Sequence, residues 1–170
     1  DIKGIVFRES GNLIDTGIRD LIQPLDKIPP PDLQALSVDK KGPAHIMSSR
    51  GCPFRCRFCC STKYWRKPRL HSAEYMVEEV ENFVKKYKRK RLAVYDDLFT
   101  MDKNRIKKIA DLMCQKGLDK KIKLDITSHV DFIDDEMMKD LKRMGVRFIS
   151  FGMESGSKKV LDYLKNSTVT

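Results

Sequence analysis

No stretch of the 170-residue chain approaches the roughly 18 consecutive apolar residues that a membrane-spanning helix needs, and no cleavable apolar leader opens it. With 41% hydrophobic residues, enough for one core, these absences lead to the expectation of a soluble globular domain in the cytoplasm. Paired cysteines are missing too. There are five, four of them crowded between Cys52 and Cys60, too close together to staple distant parts of a secreted fold. A reducing setting with a metal site fits them better. No internal repeat is visible, and the opening Asp1-Ile2-Lys3-Gly4-Ile5 reads as the middle of a strand, so the chain is expected to be a piece of something longer.

A net charge of +10 suits an anionic partner such as RNA, since Lys and Arg release counterions from phosphates. Much of that excess lies in Lys85-Lys86-Tyr87-Lys88-Arg89-Lys90-Arg91, where a helix is expected to end and a strand to begin. Cations there complement the helix dipole. A solvated helix end is therefore the preferred reading, and nucleic acid the lesser one.

Residues 2–8 and 12–16 are short alternating runs around Glu9-Ser10-Gly11-Asn12, the pattern of a β-hairpin. Residues 17–43 carry Pro24, Pro29, Pro30, Pro31 and Pro43, which fix φ and remove backbone donors. An extended linker is expected, with a short helical turn at 33–36 at most. After it the pattern turns regular, with strands at 44–47, 92–95, 122–127 and 147–151. Helices alternate with them, capped by Ser72, Asp102, Asp134 or Asp135, and Ser157. The alternation calls for an α/β fold with a parallel sheet. In such sheets ligands bind at the carboxyl ends of the strands. The four strand ends run into Ser48-Ser49-Arg50-Gly51-Cys52, Asp96-Asp97, Thr127-Ser128-His129 and Gly152-Met153-Glu154-Ser155, so the polar clusters converge on one edge.

Cys52-Pro53-Phe54-Arg55-Cys56-Arg57-Phe58-Cys59 places three thiolates in one tight loop. Thiolates select zinc, copper(I) or iron–sulfur clusters. A structural zinc site would need Cys60, His45 or His71 as fourth ligand, yet zinc sites usually pair their cysteines twice, and adjacent Cys59 and Cys60 cannot both reach a small ion without strain. A four-iron cluster on three cysteines keeps one iron open to an exogenous molecule. Cys114 lies among apolar helix positions and is expected in the core, His129 reads as a hydrogen-bonded loop histidine, and His71 as serving the turn before the helix cap.

The segments 49–59, Tyr95-Asp96-Asp97-Leu98-Phe99-Thr100 and Phe151-Gly152-Met153-Glu154-Ser155-Gly156-Ser157 together resemble the radical S-adenosylmethionine (SAM) superfamily, and within it the subgroup with an N-terminal cobalamin-binding domain. The resemblance covers roughly residues 20–170 and implies a partial TIM-like barrel in which about four of six βα units are present. It implies that residues 1–16 are the remnant of a cobalamin-binding domain, 17–43 the join, and 44–170 the first part of the radical SAM domain. By the same resemblance Cys52, Cys56 and Cys59 ligate a 4Fe–4S cluster, and the open iron chelates SAM. Phe58 packs beside its adenine, Asp96 and Asp97 receive its ammonium group, and Glu154 and Ser155 contact its ribose or methionyl end. The implied activity is reductive cleavage of SAM to a 5′-deoxyadenosyl radical, fed by an electron donor such as a ferredoxin or flavodoxin. The organic substrate is left open, and cobalamin in the longer protein would link the chemistry to methyl transfer or oxidoreduction. Against this stand a zinc-stabilised RNA-binding module and a tRNA-modifying radical enzyme. A fragment of this kind is expected to bind SAM weakly and to cover its open edge by pairing with a second copy.

Overall fold

The computed structural model describes residues 2–31 and 44–166. The expected turn at 33–36 and the end of the linker lie outside the described residues. Strands β1 (Val6–Glu9) and β2 (Asn12–Asp15) form the expected hairpin, with Glu9 opposite Asn12. Ser10 and Gly11 between them both have positive φ, 49° and 85°, the backbone that a two-residue turn matched to strand twist requires. The linker that follows is not a free spacer in its first half. Leu25 opens a short 3₁₀ turn, Leu25–Lys27, and is buried. Asp26 accepts from the Ser72 backbone N–H at 2.9 Å and meets His71 Nδ1 at 3.1 Å. Tyr75 donates its hydroxyl to the Ile28 carbonyl, and Arg69 donates to that of Ile22.

The main sheet has four parallel strands in the order β3 (Ala44–Ile46), β6 (Arg91–Val94), β7 (Lys123–Ser128) and β8 (Val146–Phe151). Between β3 and β6 come β4 (Ser49–Arg50), α1 (Ser61–Trp65), β5 (Arg69–Leu70) and α2 (Ala73–Lys85). Helices α3 (Lys103–Gln115), α4 (Asp135–Arg143) and α5 (Lys158–Lys165) follow β6, β7 and β8. Ser72, Asp102 and Asp134 each accept from the backbone N–H three residues on, which satisfies a donor that the helix leaves open. Ser157 precedes α5 but makes no such bond; the Ser155 hydroxyl accepts from its N–H instead.

The core lies between the sheet and α2, α3 and α4. Met76, Val80 and Phe83 of α2, Ile106, Ile109 and Met113 of α3, and Met137 and Leu141 of α4 meet Leu92, Leu124 and Ile126. Alternation along β7 buries Leu124, Ile126 and Ser128 and leaves Asp125 and Thr127 half-buried on the other face. The reading of Cys114 as core is corrected: it is exposed, because α3 turns Ile106, Ile109 and Met113 inward and carries the next position off that stripe, toward the Arg143 carbonyl at 3.5 Å. Gly145, at φ 90°, closes α4 onto β8; a Cβ there would stand 2.9 Å from the Asp119 carbonyl oxygen.

The end of β6 is tied to the end of β3 by one buried side chain. The Asp96 carboxylate accepts from the Ser48 backbone N–H and the Ser48 hydroxyl, both at 2.6 Å, and from the Ser49 N–H at 3.0 Å. From the other side Arg105 donates to the Ser48 carbonyl at 3.0 Å and to that of His71 at 2.7 Å. Asp96→Ala would strand two buried backbone donors, and we expect a loss of about 2–4 kcal/mol in unfolding free energy, read as a lower urea midpoint. A loss below about 0.5 kcal/mol, the scale of ordinary surface changes, would mean that water replaces the carboxylate and that this tie is dispensable.

Candidate active site

The cysteine loop is an excursion from the sheet, closed at its base by the short antiparallel ladder of β4 and β5, where Ser49 pairs with Leu70 and Arg50 with Arg69. Gly51 starts it at φ 88°, and a Cβ at that position would stand 2.9 Å from Cβ of Trp65, so only glycine lets the loop fold back over α1. Within the loop the Cys59 N–H donates to the Cys56 carbonyl at 3.1 Å, and the Thr62 hydroxyl to that of Phe54 at 2.5 Å. The Arg57 N–H reaches across to the Leu164 carbonyl at 2.8 Å, which fastens the loop to α5. Phe54 packs against His129 with the rings tilted by 37° and their centroids 4.4 Å apart.

Beneath the loop lies a hollow of 290 Å³ at the carboxyl edge of the sheet. Cys52, Cys56 and Cys59 all line it, and every βα loop expected to do so contributes. Asp97 comes from the end of β6, Thr127, Ser128 and His129 from β7, and Glu154 and Ser155 from β8. Asp97 accepts from the Ser61 hydroxyl at 2.6 Å, which couples it to the first residue of α1. Phe58 lines the hollow with its ring still about half exposed. Glu154, at φ 52°, folds its carboxylate back to 3.5 Å from Lys165 Nζ. Gly152 permits this, since a Cβ there would fall 2.5 Å from the Glu154 oxygen.

Asp96 differs from expectation. Of the two neighbouring acids only Asp97 reaches the hollow; Asp96 points beneath the loop, with both carboxylate oxygens engaged by Ser48 and Ser49. Both acids follow the last residue of β6, Val94, in a stretch where the chain buries Asp96 and bends at Asp97, which stays exposed. Lys165 is a lining residue not anticipated. It is buried at 6% exposure, and its ammonium lies 5.7 Å from the Phe58 ring centroid. The available signal was its place four residues after Leu161, on the inward stripe of α5, and both side chains line the hollow. His129 caps the turn Val130–Phe132 by accepting the Asp131 N–H at Nδ1, 3.4 Å away, and so serves the loop while it borders the hollow. Burial pushes its imidazole below the usual range.

All five cysteines are free thiols. Burial pushes the Cys52 thiol up, and Asp97, Cys56 and Cys59 push it further. Burial does the same to Cys56, but there Lys165 pulls the other way. Zinc fits this donor set poorly. His45 stacks on Tyr95, His71 faces Asp26, and Cys60 lies outside the hollow, so none of the three expected fourth ligands stands with the other cysteines. Among the described residues no three His, Cys, Asp or Glu side chains converge closely enough to hold one ion. Three thiols around a shared hollow, too spread to chelate one ion, fit a cluster in which each thiolate takes a different iron.

The Radical SAM superfamily matches the chain over residues 46–170, the span that contains the cysteine loop, the hollow and all four strand ends. The chain belongs to the radical SAM superfamily. As a radical SAM chain it is 34% identical over 169 residues to an uncharacterized methyltransferase of Pyrococcus horikoshii, covering 96% of this chain and 36% of that protein. It is 26% identical to the anaerobic magnesium-protoporphyrin IX monomethyl ester cyclase of Cereibacter sphaeroides, covering 98% and 29%. It thus spans about a third of the length of the curated relatives it matches. The fold is shared with the cobalamin-dependent radical SAM enzyme OxsB, solved with aqua-cobalamin and SAM, at TM-score 0.83 and 23% identity over 99% of this chain and 26% of that one. TsrM, a radical SAM methyltransferase from Kitasatospora setae, superposes at TM-score 0.65 and 16% identity over 71% of this chain and 24% of its own.

Serine at Cys52, Cys56 or Cys59 is expected to bring iron bound after anaerobic reconstitution close to zero, because hard hydroxyl oxygen replaces soft thiolate poorly. Cys60→Ser and Cys114→Ser should hold about four iron and four sulfide, like the parent. Iron retained in Cys59→Ser and lost in Cys60→Ser would exchange the roles of the two neighbours.

Proposed function

We propose that this chain is the cofactor-binding part of a radical SAM enzyme, with Cys52, Cys56 and Cys59 holding a 4Fe–4S cluster and the hollow beneath them receiving SAM. The observation that carries the reading is the chemical match of the hollow's walls to that molecule. SAM presents an ammonium, a carboxylate, a ribose and an adenine. The hollow offers Asp97, Lys165, the pair Glu154 and Ser155, and the Phe58 ring.

When bound, the cluster and SAM supply an electron and a sulfonium whose cleavage yields a 5′-deoxyadenosyl radical, chemistry that belongs to the cofactors. The residues supply placement. Asp97 accepts a charge-assisted hydrogen bond from an N–H of the SAM amino group, and its bond from Ser61 sets the direction of its free lone pairs. Lys165 balances the carboxylate, released to it by rotation of Glu154 toward the ribose hydroxyls. Phe58 covers the adenine face by stacking. Asp96 acts as a positioning residue: by holding Ser48 and Ser49 it fixes where the loop leaves β3, and with it Cys52.

In the longer protein we read the reaction as methyl transfer linked to cobalamin, with residues 1–16 as the end of a cobalamin-binding domain. The methyltransferase relative and the coverage of nearly the whole chain, hairpin included, by cobalamin-dependent OxsB support this. The cyclase among the relatives supports a radical reaction other than methyl transfer as the alternative outcome.

Titration of SAM into anaerobically reconstituted protein tests the placement. Asp97→Asn keeps an acceptor for Ser61 and removes the charge, so SAM should bind about tenfold more weakly, equivalent to about 1.4 kcal/mol, with iron content unchanged. Equal affinity in Asp97→Asn and the parent would remove Asp97 from the ammonium site.

A further inference from the structure

Around the cysteine loop the charges are sorted by side. From Arg50 to Leu70 the chain holds Arg50, Arg55, Arg57, Lys63, Arg66, Lys67 and Arg69 and no aspartate or glutamate. The acids near the cysteines, Asp97 and Glu154, line the inner hollow. Arg55, Arg57, Lys63, Arg66 and Lys67 are exposed, and Arg55 and Lys63 form no ion pair among the described residues. Like charges crowded without a counterion cost stability. Arg69 shows the pressure: burial lowers its pKa, and Arg50 and Arg66 lower it further.

Three of these cations, Arg55, Arg57 and Lys63, line a second concavity, of 490 Å³, on the outer side of the loop, together with Cys56, Cys59 and Cys60. Cys56, Phe58 and Cys59 belong to both hollows. A redox centre held by Cys56 and Cys59 is therefore reachable from outside without passing through the space assigned to SAM. Exposed Phe58 and Tyr64 add apolar contact at the rim of this surface.

We infer that the outer face of the cysteine loop is the docking surface for a small acidic electron-carrier protein whose carboxylates surround its own redox centre. The inference rests on the cluster reading above. In the docked pair one electron leaves the carrier and one enters the cluster, with no bond formed or broken and no group transferred. Complementary charge of this kind raises association rate and sets orientation more than it raises affinity, which suits a partner that must leave after each electron. An RNA backbone would favour one continuous positive stripe. Here the other concentration of cations, Lys85 to Arg91, lies where β6 begins, at the opposite edge of the sheet from the cysteines.

The test uses oxidised flavodoxin as the probe and the doubly substituted Arg55→Glu, Lys63→Glu protein, with the milder Arg55→Gln, Lys63→Gln pair as a second variant. Neither side chain touches the inner hollow. Binding by calorimetry at low ionic strength should weaken about tenfold or more in the Glu variant and less in the Gln variant, and added salt should weaken the parent. Iron and sulfide content and reduction by methyl viologen radical should match the parent in both, while the rate of reduction by flavodoxin hydroquinone falls with the affinity. Equal flavodoxin affinity in parent and Glu variant would overturn the docking surface, as would loss of tRNA binding alone. Absence of iron and sulfide from the parent would overturn the cluster reading instead, and with it this inference.

Discussion

The cysteine loop depends on a small polar clamp under it. Ser48 is gripped at both ends of its peptide unit, its N–H and hydroxyl by Asp96 and its carbonyl by Arg105. These bonds join the ends of β3 and β6 to α3, so the loop leaves the sheet in one direction and carries Cys52 over the hollow. Buried charges are costly unless their partners are complete. Asp96 meets that condition with three bonds; Arg105 meets it in part, through two backbone carbonyls, while its Nη1 has no hydrogen-bond partner among the described residues. The clamp thus converts the stability of the helix-covered core into precision at a loop that has little apolar anchorage of its own.

Three further attachments complete the frame. The β4–β5 ladder closes the base of the loop, the Arg57 N–H fastens it to α5, and Phe54 leans on His129. Each runs to a different element, so the thiols are held by parts of the chain from Ser48 to Leu164. The same loop divides two environments. Inward it faces Asp97, Glu154 and Lys165, charges of both signs, as an amino acid moiety needs; outward the charged residues it faces are all cations. A site that binds a zwitterion on one side and exchanges electrons on the other gains from that separation, because each surface selects a different visitor.

Much of the fold was legible in the sequence where the responsible physics is local. Ser72, Asp102 and Asp134 cap helices through bonds to residues three positions on, and such signals need no knowledge of the rest of the chain. The hairpin turn at Ser10 and Gly11 belongs to the same kind. What stayed hidden depends on distant partners. Asp96 and Asp97 are indistinguishable side by side on paper; only the bonds from Ser48 and Ser49, nearly fifty residues earlier, show which one is structural. Lys165 reads as one more surface lysine until α5 is packed against the loop. Cys114 reads as core because it follows Leu112 and Met113 on a helix with an apolar stripe, but the stripe that faces the core ends at Met113.

The central claim is that three thiolates leave one iron open and that SAM occupies it. Electron paramagnetic resonance of the reduced, reconstituted protein with and without SAM labelled with ¹⁵N in its amino group tests this most directly. The account predicts that SAM alters the spectrum of the reduced cluster and that a hyperfine coupling to the labelled nitrogen appears. Identical spectra with and without SAM, with no such coupling, would contradict it.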